Sequence, residues 1–192
     1  MNAELKHLRQ YRLAGQLLFI LLLMGCLCFL FLIRTHRVDG QSMAPTLADN
    51  DRLLVRKNQQ PDRYALITIE SHNKSNESYV KRVIGMPGDR IWVDNNSLYL
   101  NQALAETDTM MESNQSLSGE QLPDGTIKVW VTEAVAQALV HVKVIPDNQY
   151  FVLGDNRNHS TDSRQFGLIN AASIEGTVIF RYYPFTHMGG IR

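Results

Sequence analysis

Residues 79–96 read YVKRVIGMPGDRIWVDNN. Two short runs rich in Val, Ile, Tyr and Trp, at 79–84 and 90–93, are parted by Pro87-Gly88-Asp89 and closed by Asp94-Asn95-Asn96. Branched and aromatic side chains suit a pleated surface, while Pro, Gly, Asp and Asn supply turn geometry. The pattern repeats outward in RLLVR at 52–56, YALITIE at 64–70, IKVWVT at 127–132, YFVL at 150–153 and TVIFRYY at 177–183. Further turn signals stand at Pro123-Asp124-Gly125 and Pro146-Asp147-Asn148. Only EAVAQALV at 133–140 reads as a short helix. Strands without intervening helices predict a mainly β, antiparallel, barrel- or sandwich-like domain rather than βαβ units. The Gln-, Ser-, Glu- and Met-rich stretch 103–121 predicts a mobile excursion, and HNKSNES at 72–78 a polar tip joining two strands.

The first 33 residues have a different character. LLFILLLMGCLCFLFLI at 17–33 carries neither charge nor amide, and with Leu13 as its start the apolar stretch has 21 residues. That is about 31 Å of helix, enough to cross a hydrocarbon core. A cleaved signal peptide would end on small residues, whereas this run ends on Arg34-Thr35-His36-Arg37. The expected organisation is a short stub at 1–12, an anchor at 13–33 and one globular domain at 34–192, with 103–145 as a variable excursion. Lys6, Arg9 and Arg12 before the span, against Arg34 and Arg37 after it, favour a cytoplasmic N-terminus and an extracytoplasmic domain. Beyond residue 33 there are sixteen basic and eighteen acidic side chains, without the basic footprint of a nucleic-acid binder. Both cysteines, Cys26 and Cys28, lie in the apolar run, leaving the domain no thiolate metal site, and no cofactor is expected.

A domain so equipped points to an activated hydroxyl. Ser42, in the loop GQSMAPTL at 40–47, becomes a nucleophile only when a base takes its proton. Lys81 is one base. On a strand it shares a face with Tyr79 and Val83, and burial there would lower its pKa, as would a neighbouring cation such as Arg82 or Arg164. His159 is the other, with Asp162 three residues on as a triad partner. Both lie in GDNRNHSTDSR at 154–164, where Asp155, Arg157, Asp162 and Arg164 are expected to pair internally and stiffen the loop. Ser160 is the candidate for accepting a hydrogen bond from the Lys81 amine.

Taken in order and spacing, SMAPTL, YVKRVIGMPGD and GDNRNHSTDSR behind a single span resemble the type I signal peptidases. The resemblance implies a membrane-anchored Ser-Lys endopeptidase that removes signal peptides from exported preproteins. It gives Ser42 the role of nucleophile, Lys81 that of general base and Ser160 that of orienting hydroxyl, with Asp155, Asp162 and Arg164 in support. The partners implied are preproteins, the lipid bilayer and the secretion machinery. Two positions depart from the family pattern. Gly40 stands where some members carry an oxyanion-binding serine, so the oxyanion is expected on the Ser42 backbone N–H with a second main-chain donor, Gly40 being the candidate. His159 stands where Asn or Asp is usual. Extended substrate is expected to add along a strand edge, with Met43, Ile69, Tyr79 and Val80 as candidate pocket residues. Two other readings share these features: a peptidase dedicated to one exported substrate, such as a pilin or conjugation protein, and a catalytically silent anchored peptide-binding domain.

Overall fold

The computed structural model describes residues 2–70, 78–102 and 125–191, with side chains from Arg12 onward. The chain divides into two compact units, Met1–Arg34 and Thr35–Arg192. Helix α1, Asn2–Leu32, makes up the first. Its Arg12–Leu32 stretch has a mean hydropathy of 2.5 and no residue buried within the protein, and it is long and apolar enough to cross a membrane.

Two antiparallel sheets form the rest. The larger combines β1 (Ile33–Arg37), β2 (Arg52–Arg56), β3 (Leu66–Glu70), β4 (Ser78–Gly85), β8 (Gln149–Leu153), β9 (Ile169–Asn170) and β10 (Ile174–Tyr183) in the order β1-β2-β10-β3-β4-β8-β9, with β11 (Gly189–Gly190) on β10. The smaller is β5 (Arg90–Asp94), β6 (Ser97–Asn101) and β7 (Thr126–Trp130). The quoted stretch is therefore the junction between the sheets, with β4 in one and β5 in the other. Met86 to Asp89 make the tight turn between them: Pro87 presets one backbone angle, Gly88 takes φ 89°, and the Asp89 N–H reaches the Met86 carbonyl at 3.1 Å. Asp89 is fixed there by the Arg63 fork, with both bonds at 2.7 Å.

Each face of the large sheet is covered, as the two-residue period requires. Leu53, Val55, Leu66, Val80 and Val178 pack with Met43 and Leu47, while Ile67, Ile69, Val83, Tyr150, Val152 and Ile169 form the second cluster. A third cluster joins the small sheet to helix α2 (Glu133–Leu139) through Val129, Val135, Ala136, Leu139 and Ile145.

The antiparallel β-rich expectation holds, with corrections. The strand expected from Tyr64 begins at Leu66, because Tyr64 takes φ 64° in a turn. β6 was hidden because SLYLN is brief and polar at both ends, although its register with β5 is continuous. The excursion drawn to 145 is too long. Residues 125–145 hold β7 and α2, which bury a flank of the core. The stretch 103–124 and residues 71–77, most of the polar tip, lie outside the described residues.

Candidate active site

Ser42 sits in the connection between β1 and β2, a loop closed at its base by Val38 N–H to Asp51 carbonyl, 2.8 Å, and Asn50 N–H to Val38 carbonyl, 2.9 Å. Met43 and Leu47, one turn apart, are sunk in the core and pull the loop down, leaving Ser42, just before Met43, half-buried. Asp51, almost wholly buried, accepts from Ala48 N–H at 3.0 Å and from the Arg181 guanidinium at 2.9 Å, and Arg181 also donates to the Thr46 carbonyl at 3.2 Å.

Lys81 lies in β4 with 2% of its surface exposed. Its Nζ is 3.2 Å from Ser42 Oγ, donates to the Val80 carbonyl at 3.1 Å and lies 5.3 Å from the Tyr79 ring centroid. Burial lowers its pKa to about 8, against the opposing pull of the Asp162 carboxylate. The cations expected beside it are spoken for. Arg82 forks onto Asp155 at 2.8 and 2.7 Å, and Arg164 onto Asp162 at 2.8 and 2.9 Å. Desolvation therefore lowers the amine's pKa, and the charge acting on it is an anion.

Asp155 does not pair within its own loop. It bridges Arg82, next to Lys81, and the Thr46 hydroxyl, 2.6 Å away in the serine loop. Burial pushes its pKa up, but Arg82 and Thr46 outweigh that and hold the carboxyl below the ordinary value. Asp162 is likewise pushed up by burial, yet held ionised by Arg164 and the Gly154 N–H. Removing Asp155 strands a guanidinium beside a buried amine and frees the serine loop. Asp155→Ala is expected to cost about 2–3 kcal/mol of stability, read by urea unfolding. Its cleavage rate should fall roughly 10–100-fold, since small displacements of reacting groups are costly.

Other expectations are corrected. Ser160 Oγ is buried with no hydrogen-bond partner among the described residues, so it does not bond the Lys81 amine; its hydroxyl packs against Gly154 instead. His159 is exposed and makes no hydrogen bond to Ser42. The Gly40 N–H, the candidate second oxyanion donor, is occupied by Asp49 at 2.8 Å. Met43, Ile69 and Val80 are 1%, 4% and 4% exposed and belong to the core, because a two-residue period tells which face a side chain takes but not what covers it. Tyr79 is 40% exposed beside Lys81 and remains a pocket candidate. Sequence reasoning missed Thr46, Asn156, Gly154 and Arg181. The first three lie inside the quoted motifs, but Thr46 and Asn156 bond to residues distant in the chain, and Gly154 lies against the equally distant Ser42 carbonyl. Among the described residues no group of three His, Cys, Asp or Glu side chains converges as a metal site.

Residues 11–183 match the family model described as "Signal peptidase, peptidase S26". The chain is 36% identical over 160 residues to signal peptidase IB of Staphylococcus aureus, covering 81% of each protein. It is 34% identical over 193 residues to signal peptidase I of Streptococcus pneumoniae, covering 91% of this chain and 94% of that one. A crystal structure of a signal peptidase I from Enterococcus faecalis, 28% identical, covers 62% of this chain and 97% of its own, with a TM-score of 0.38.

Proposed function

We propose, from the premise that the chain belongs to the signal peptidase family, that Ser42 is its nucleophile and Lys81 its general base. The chain is a serine peptidase that cleaves signal peptides, and preproteins are its substrates. The single observation supporting the dyad is the 3.2 Å separation of Ser42 Oγ from a buried amine whose pKa burial has lowered to about 8.

Neutral Lys81 takes the hydroxyl proton as Ser42 Oγ attacks the scissile carbonyl. The ammonium then protonates the departing amine, leaving an ester on Ser42. Lys81, neutral again, deprotonates the water that hydrolyses the ester and returns the proton to Ser42 Oγ. The Ser42 N–H, which has no acceptor among the described residues, is proposed to meet the oxyanion.

Substrate is proposed to bind as an added strand. Val83 donates to Ala65 of the β3 side at 3.0 Å, so by alternation the main chains of Arg82, Val80 and Ser78 face away from β3. β8 pairs with β4 from Arg82 onward, and no described strand meets Val80 and Ser78 on that side. α1 is proposed to cross the bilayer once, with residues 1–12 cytoplasmic and the catalytic unit outside, where secretion machinery would deliver preproteins.

The test is cleavage of a signal-peptide-bearing preprotein by the full chain in detergent, with sequencing of the new N-terminus. Activity follows the neutral amine, so kcat/KM should rise tenfold per pH unit below about 8 and level off above it. Between pH 6 and the plateau the change is roughly 100-fold, as expected of a single base. A flat profile from pH 6 to 10, with chemistry rate-limiting, refutes the lysine base.

A further inference from the structure

We infer that Asn156 is a positioning residue that aims the main-chain N–H groups of Ser42 and Met43 at the reaction's oxyanion. The inference rests on the Ser-Lys reading and supplies the second donor that Gly40 does not. Asn156 Nδ2 donates to the Gln41 carbonyl at 3.1 Å, and the Asn156 main-chain N–H donates to the Ser42 carbonyl at 3.0 Å. The Gln41–Ser42 and Ser42–Met43 peptide bonds are both trans. In a trans peptide the carbonyl and the following N–H point to opposite sides. Pinning the Gln41 carbonyl therefore aims the Ser42 N–H away from Asn156, and pinning the Ser42 carbonyl does the same for Met43.

The surrounding donors are used up. Gly40 N–H goes to Asp49, Ala44 N–H to Gln41, Leu47 N–H to Met43, and the Thr46 hydroxyl to Asp155. The N–H groups of Ser42 and Met43 have no acceptor among the described residues. They are consecutive and belong to the proposed nucleophile and its neighbour; Asn156 holds both peptide planes, the Ala44 N–H sharing the Gln41 carbonyl and no other main-chain donor among the described residues sharing that of Ser42. Asn156 itself touches neither Ser42 Oγ nor Lys81, so it acts through the loop.

The effect belongs to the transition state, because charge on the scissile oxygen appears only there. Asn156→Ala and Asn156→Leu, the latter similar in shape but unable to donate, are to be compared with the wild-type full chain in detergent. Position 156 is not in the core, so both variants should fold, which thermal unfolding checks. A lost oxyanion donor costs about 100–1000-fold, and a mis-aimed pair should cost roughly 10–100-fold in kcat, with KM within about threefold. The pH midpoint should stay at its wild-type value, since Lys81 is untouched. A peptide boronic acid, whose tetrahedral adduct on Ser42 carries an oxygen at the oxyanion position, should lose affinity by the same factor. An unchanged kcat, a loss confined to KM, or a displaced pH midpoint overturns the inference. Should Ser42→Ala keep wild-type activity, the dyad reading itself fails; should it be inert while both Asn156 variants match wild type, this inference alone fails.

Discussion

Lys81→Ala is expected to lower preprotein cleavage by at least about 10,000-fold, as removal of a serine-protease base does. Ser42→Ala should fall to a similar level, and the double variant no lower, because nucleophile and base act as one unit. Lys81→Arg should not rescue: a guanidinium cannot lose its proton at working pH. Lys81→Met separates chemistry from packing. Lys81 is 2% exposed and its charged form is disfavoured by burial, so an apolar side chain of similar length should leave thermal stability unchanged or raised while activity stays absent. His159→Ala should retain activity within about threefold, the ordinary behaviour of a surface residue away from the site. Activity in Lys81→Ala, coupled with its loss in His159→Ala, would replace the dyad with a histidine mechanism.

The sequence shows different parts of this arrangement with different clarity, for physical reasons. YVKRVI, RLLVR and YFVL announce strands because their side chains have few other comfortable settings, and the turn at Pro87-Gly88 is fixed by the backbone angles those residues allow. Alternation correctly places Lys81 on the Val83 face, and register adds Ile67 directly opposite it. The approach of Lys81 to Ser42 follows from the resemblance, since no local rule brings residues 39 positions apart to 3.2 Å. Electrostatics were less legible. The loop 154–164 has enough opposite charges to satisfy itself, and Asp162 with Arg164 does so. Asp155 instead takes Arg82, 73 residues away, and Thr46, 109 residues away. The alternatives differ by a loop's orientation, which composition does not encode. One carboxylate thereby ties the strand bearing Lys81 to the loop bearing Ser42.

Gly154→Ala is the substitution expected to damage the site most without removing a reacting group. A Cβ at 154 would lie 2.2 Å from Ser160 Oγ, 2.5 Å from Ser160 Cβ and 2.6 Å from the Ser42 carbonyl oxygen. None of these is the end of a long, flexible side chain. Ser160 is short and 8% exposed, the Ser42 carbonyl is main chain held by Asn156, and Gly154 is itself held by its N–H to Asp162 at 2.9 Å. Something must therefore move, and the cost should be about 1–3 kcal/mol, the usual range for overpacking. The rate should suffer more than the stability. A shift of about 1 Å in a reacting group can cost about 100-fold, and here the displaced backbone belongs to Ser42, the proposed nucleophile. The double variant Gly154→Ala/Ser160→Gly separates the two effects. It removes both contacts to the Ser160 side chain but leaves the one to the Ser42 carbonyl, so the unfolding midpoint should largely recover while kcat stays depressed. Full recovery of kcat in the double variant would assign the damage to Ser160, and wild-type kcat in Gly154→Ala alone would mean that the loop absorbs a methyl group without moving Ser42.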